Sequence, residues 1–261
     1  MAELEIRREE GVTWLTLNRP ATRNSLTPSL LGELREICVA LAADASVRVV
    51  VLSGAAGVFS AGADLMGFMA SMHGADPLEA ADVGRLAAEA LLALPQITIA
   101  AVEGHCVGGG LVLAASCDLR WATSDAWFSA PELDLGIPLA WGGMQRLVEL
   151  LGDTMASELV LTCRRFSSEE ALVHGLISRR IDSDFSAMVK DAVATLAEKP
   201  GAVLRATKQQ LQAIRAGSFD AQTDAAALLA ALRDPESQRA AQRYFARRAA
   251  RAKGQSTPPK G

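Results

Sequence analysis

The sequence predicts an α/β domain with a mostly parallel sheet, followed by an all-helical module. Short apolar, β-branched runs alternate with stretches of helical periodicity through residues 1–183. From Asp184 onward the strand-like runs stop and only helical patterns follow, over residues 184–253. Between strand and helix stand glycine turns, as parallel crossovers require.

The chain in order supports this. Residues 4–8 and 12–17 alternate like two short strands, with Glu10-Gly11 as their turn. Asn18-Arg19-Pro20 ends the second strand. Thr27 precedes Pro28, a helix start with proline at the first helical position. Leu30, Leu31, Leu34, Ile37, Cys38 and Leu41 then recur at helical spacing. Residues 47–52 read as a strand buried on both faces. The turn 61–64 leads into a short helix and a softer segment, 69–77, carrying Gly74 and Pro77. Residues 82–94 are helical and Pro95 closes them. Ile97-Thr98-Ile99 is a buried strand; residues 118–122 and 127–128 are two more, and 141–151 a helix. Ser167 with Glu170 three residues later makes a capping box, and 176–181 is the last strand.

Four helices follow, at 185–198, 202–216, 221–232 and 235–247, the last with Asp234 as N-cap and Pro235 at its first position. Their apolar stripes must be buried against the core or a neighbouring subunit. The tail 254–261 is polar and proline-rich and is expected to be disordered.

Composition narrows the function. A net charge of −4 over 261 residues gives no sign of nucleic-acid binding. The four cysteines, Cys38, Cys106, Cys117 and Cys163, form no CxxC pair and read as small core residues in a reducing compartment. His73, His105 and His174 are scattered without ligand spacing, so no metal site is expected. The N-terminus is no signal peptide, and no apolar run reaches the ~20 residues of a membrane span. A cytoplasmic protein is expected. Ser60 and Ser129 lack a Ser-His-Asp context.

Two glycine-bearing turns carry the chemistry. The sharper is Gly104-His105-Cys106-Val107-Gly108-Gly109-Gly110, leading into the helix former 111–115. The other is Phe59-Ser60-Ala61-Gly62-Ala63-Asp64-Leu65. A strand, a glycine turn and a helix start aim free backbone N–H groups at one point. Glycine lets the backbone approach a ligand closely. Two such turns can place two donors on one oxygen, which is an oxyanion hole. Neither turn has phosphate-loop spacing.

These turns, in this order, resemble the enoyl-CoA hydratase/isomerase (crotonase) family. The likeness also rests on Asn18-Arg19-Pro20 with Asn24-Ser25-Leu26, on Cys117-Asp118-Leu119, on the block from Phe128 to Pro138, and on Gly142-Gly143-Met144-Gln145-Arg146-Leu147. It spans almost the whole chain. The resemblance implies a spiral of ββα units and a C-terminal helical part that builds a homotrimer or a dimer of trimers. It implies an acyl-CoA substrate, with coenzyme A entering as part of that substrate and no separate cofactor.

By the same resemblance, the N–H groups of Ala63 and Gly109 bind the thioester carbonyl and the enolate oxygen derived from it. Glu132 is the proton-transfer group, its pKa raised by an apolar pocket. Arg23, Ser25, Ala61, Asp64, Leu65, Met66 and Gly108 line the path of the CoA ester. Met66 stands where many relatives have lysine. Trp141 either shapes the acyl pocket or packs in the core. Arg247 and Arg248 fall where relatives place basic residues, and an ordinary solvated helix end is the competing reading.

One departure matters. Hydratases of the family carry a second glutamate two residues after Gly110, and this chain has Val112 there. Hydration needs two carboxyls to position water, whereas one base suffices to carry a proton from C2 to C4. Val112 therefore favours a single-base, isomerase-like reaction. Hydration with Asp134 or His105 as substitute, another reaction of the family, and a non-catalytic acyl-CoA binding protein stay open.

Overall fold

The computed structural model describes residues 2–72 and 76–254. Residues up to Ala194 form one compact unit and those from Thr195 a second.

The first unit opens with β1 (Leu4–Glu9) and β2 (Val12–Leu17), paired antiparallel across the Glu10-Gly11 turn. Strand β3 (Val49–Gly54) joins β2 in parallel after helix α1 (Pro28–Ala42). The hydroxyl of Thr27 accepts the Leu30 N–H at 3.0 Å and caps α1. Leu30, Leu31, Leu34, Cys38 and Leu41 form the buried stripe of α1 that their spacing predicts. β4 (Ile97–Val102), β6 (Leu119–Thr123) and β9 (Arg179–Ile181) complete a six-stranded sheet in the order β1-β2-β3-β4-β6-β9, parallel from β2 onward.

A second sheet holds three short strands, β5 (His105–Val107), β7 (Trp127–Ser129) and β8 (Phe166–Ser167), in that order. The chain alternates between the sheets. β4 in the large sheet is followed by β5 in the small one and then by helix α4 (Gly109–Ala115). β6, β7 and helix α5 (Gly143–Thr162) repeat the pattern. This is the expected spiral of ββα units. Asp118 braces one turn of it: its Oδ2 accepts the Thr98 N–H at 2.8 Å and its own N–H donates to Thr98 Oγ1 at 2.8 Å.

Several expectations are corrected. Helix α2 (Leu65–Met72) runs into the segment read as soft, and α3 (Pro77–Ala93) begins well before residue 82. Asp76 accepts the Glu79 N–H at 2.9 Å, an N-cap that the sequence reading passed over. Gly74 lies outside the described residues. The helix expected at 141–151 starts at Gly143 and continues to Thr162, with a break at Gly152 (φ 74°). The capping box of Ser167 and Glu170 opens α6 (Ser168–Val173) as expected.

Helix α7 (Phe185–Ala197) lies mainly in the first unit, so the second begins later than residue 184. The second unit holds α8 (Gly201–Arg215), α9 (Thr223–Arg233) and α10 (Pro235–Gly254). Asp234 caps α10 by accepting the Ser237 N–H at 2.8 Å, and Glu236 accepts the Gly201 N–H at 3.0 Å. Leu228, Leu229, Leu232, Tyr244 and Phe245 of this unit are exposed in the single chain. The tail after Gly254 lies outside the described residues. Among the described residues no helix is long and apolar enough to cross a membrane.

Candidate active site

The first glycine turn is held by a buried knot. Asn24 is fully buried; its amide donates to the carbonyls of Ala55 (2.9 Å) and Val58 (2.5 Å), and its oxygen accepts the Arg19 N–H. Ser60, also fully buried, donates its hydroxyl to the Asn24 carbonyl at 2.8 Å and accepts the Gly62 N–H at 3.1 Å. Leu26 and Ala63 form a parallel bridge in which Gly62 O accepts from Leu26 N and Leu26 O accepts from Asp64 N, each at 2.8 Å. The Ala63 N–H between these bonds has no acceptor among the described residues.

The second turn is bound to the first. Ser60 N–H donates to His105 O at 2.9 Å, and Val107 N–H to Ser60 O at 3.0 Å. A β-carbon on Gly110 would lie 2.7 Å from Ser60 Cβ, so only glycine allows this approach. Gly108 has φ 51° and donates its N–H to Ser129 O at 2.9 Å. Gly109 opens α4, and its N–H has no acceptor among the described residues.

Ala63 and Gly109 both line a cavity of about 640 Å³. Its other walls include Leu65, Phe68, Val112, Leu139 and Trp141, and Glu132 is the one ionisable residue among the described lining residues. Glu132 follows β7 and is only 9 % exposed. Its Oε2 is buried with no hydrogen-bond partner among the described residues. Burial pushes its carboxyl above the usual carboxylate range.

Val112 is 1 % exposed, and a β-carbon on Gly143 would lie 2.6 Å from its Cγ2. Trp141 has a left-handed backbone (φ 60°), and its ring centroid lies 5.7 Å from that of Phe68. It lines the cavity and packs on the core.

The remaining candidates separate. Leu65 lines the cavity, whereas Met66 is 77 % exposed and is not among its lining. Asp64 accepts the Gly67 N–H in the first turn of α2 and pairs with Arg19 at 3.1 Å. Arg19 also pairs with Glu3 at 2.8 Å and donates to the Ser25 carbonyl and hydroxyl. Arg23 is exposed, with φ 54°, and its carbonyl accepts the Ala61 N–H at 2.9 Å. His105 and Asp134 are not among the lining residues. The His105 ring lies 4.7 Å from that of Trp127, tilted by 52°, and burial, helped by Arg23 and Arg165, lowers its pKa. Arg247 and Arg248 are exposed on α10.

Ser60 and Asn24 stand in the matching motifs, but their buried bonds that support the turn, and Phe68 as a cavity wall, do not follow from the motifs. The available signal was position: Ser60 shares a turn with Ala63, and Phe68 lies one helical turn beyond Asp64.

Comparison with known proteins gives the fold first. The structure of an enoyl-CoA hydratase/carnithine racemase from Magnetospirillum magneticum superposes with a TM-score of 0.87 at 28% identity, covering 95% of this chain and 94% of that one. This is the crotonase fold. In sequence, the chain is 38% identical over 213 residues to the 2,3-dehydroadipyl-CoA hydratase of Escherichia coli K12, covering 81% of this chain and 82% of the relative. It is 32% identical over 201 residues to the mitochondrial Δ(3,5)-Δ(2,4)-dienoyl-CoA isomerase of Mus musculus, covering 73% of this chain but 61% of that protein's length. The enoyl-CoA hydratase/isomerase family profile matches residues 7–255, and the chain belongs to that family of acyl-CoA enzymes.

Proposed function

We propose that this protein moves a single proton along a CoA thioester through an enolate, as in Δ3-Δ2-enoyl-CoA isomerisation. The observation that carries this reading is that Glu132 has the one carboxyl among the described residues lining an otherwise apolar cavity, with Val112 where a second carboxyl would serve hydration.

In this scheme the free N–H groups of Ala63 and Gly109 receive the thioester oxygen. Glu132 as carboxylate takes a proton from C2, and the electron pair moves into a dienolate whose oxygen is stabilised by the two donors. The Glu132 acid then returns the proton at C4, leaving a conjugated 2-enoyl ester. A raised pKa suits a group that must both take and give the proton. Arg23, Ser25, Ala61, Asp64 and Gly108 flank the route of the CoA portion. Asp64 and Ser25 do so as supports of the turn, given their bonds to Arg19.

The test is incubation with a 3-enoyl-CoA and analysis of the product by mass and absorbance. Unchanged mass with a conjugated double bond supports the scheme. A product heavier by one water supports the second reading, hydration, which the name of the Escherichia coli relative favours. Binding without turnover would make the chain an acyl-CoA binding protein.

We also propose a cytoplasmic homotrimer or dimer of trimers. The exposed Leu228, Leu229, Leu232, Tyr244 and Phe245 support an interface, and light scattering of the purified protein tests it.

A further inference from the structure

We infer that the acyl group accepted by this cavity is uncharged and apolar, and that Trp141 sets how much of it fits. The inference rests on the CoA-thioester reading and deepens it.

The cavity offers Phe68, Val112, Leu135, Leu139 and Trp141 as walls, and its ionisable group among the described lining residues is itself an acid. A terminal carboxylate on the acyl chain would enter an apolar space already holding a carboxyl. It would lose its hydration and gain a like-charged neighbour, both unfavourable.

Trp141 is a built wall of this space. Tryptophan rarely adopts a left-handed backbone, yet Trp141 has φ 60°. What holds it is a slot made by two glycines. A β-carbon on Gly84 would lie 2.0 Å from the indole, and one on Gly109 would lie 2.2 Å from it. Backbone strain of this kind persists where the surroundings over-determine it. The ring thus occupies a fixed place between α3 and the start of α4, beside Phe68.

Saturated esters test the pocket without chemistry. Butyryl-, octanoyl-, dodecanoyl- and suberoyl-CoA are titrated calorimetrically into the full chain. Octanoyl-CoA is expected to bind about 100-fold more tightly than suberoyl-CoA, its ω-carboxylated counterpart. In Trp141→Gly, which keeps a backbone at ease with positive φ, the dodecanoyl-to-butyryl affinity ratio is expected to rise about 10-fold. Trp141→Phe, with a smaller ring in the same slot, is expected to shift the ratio less in the same direction. Equal affinity for octanoyl- and suberoyl-CoA, or an unchanged ratio in both variants, overturns the inference. These esters cannot isomerise, so they report on the pocket even if the 3-enoyl-CoA experiment yields no conjugated product. Failure of all four to bind would instead overturn the CoA-thioester reading together with this inference.

Discussion

Glu132 Oε1 stands 2.7 Å from the point where a β-carbon on Gly108 would be. The carboxyl fills the space that the missing side chain leaves. Gly108 also has a positive φ of 51° and precedes Gly109, the proposed oxyanion donor. One glycine therefore adjoins the proposed base and the proposed donor together. Gly108→Ala is expected to cost about 1–3 kcal/mol of stability through its backbone and to displace the Glu132 carboxyl. Thermal unfolding and turnover of the variant check both effects, and an unchanged rate would refute the placement of the base.

Glu132→Gln removes the proposed proton carrier while keeping size and shape. Turnover is expected to fall about 10²–10⁴-fold. Binding of a saturated acyl-CoA should stay within a few-fold, because the amide adds no charge. Retained turnover would move the chemistry to another group.

The raised pKa of Glu132 has two consequences with pH. The proposed proton abstraction needs the carboxylate, so kcat/KM should fall as pH drops through that raised value, above the ordinary carboxylate range. Stability runs the other way. Folding favours the protonated form, and this contribution is complete below the unfolded value of about 4.3 and is lost as pH rises through the folded value. Glu132→Gln, uncharged throughout, should gain stability over the parent as pH rises across that window and match it most closely in acid. Melting temperatures measured against pH decide this; a gain confined to acid pH would contradict it.

Val112→Glu supplies the second carboxyl that hydration uses. The position is 1 % exposed and packs on Gly143, so the longer side chain must turn into the cavity. Water addition to a 2-enoyl-CoA is expected to rise at least about tenfold, with a stability loss of roughly 1–3 kcal/mol. Mass analysis of the product reads the first effect and denaturant titration the second.

Ser60→Ala leaves the Asn24 carbonyl and the Gly62 N–H without their shared hydroxyl in a fully buried place. A loss of about 1–3 kcal/mol is expected, measurable by urea unfolding. Ser60→Cys, which keeps a weak donor and acceptor, should recover part of it.

Much of this protein is legible in its sequence because its rules are local. The stripe of α1, the Thr27 and Ser167 caps and the glycine turns follow from spacing and residue type. The burial of Glu132 is legible from its apolar flanks. What escaped depends on contacts distant in the chain. Asn24 and Ser60 resemble ordinary loop residues until their bonds to Ala55, Val58 and Gly62 are drawn. The short strands β5 and β8 hold only three and two residues, too few for alternation to reveal. Trp141 reads as the first residue of a helix, and only the slot between Gly84 and Gly109 explains why its backbone turns left-handed instead.

Arg19 clasps Glu3 with one side of its guanidinium and Asp64 and Ser25 with another. Glu3, just ahead of β1, is thereby a tether on the turn that carries Ala63, although some sixty residues separate the two along the chain. Whoever fuses a tag to this protein or trims its front edge is handling that tether: removing Glu3 would slacken one end of it, and the effect would surface at α2 rather than at the terminus.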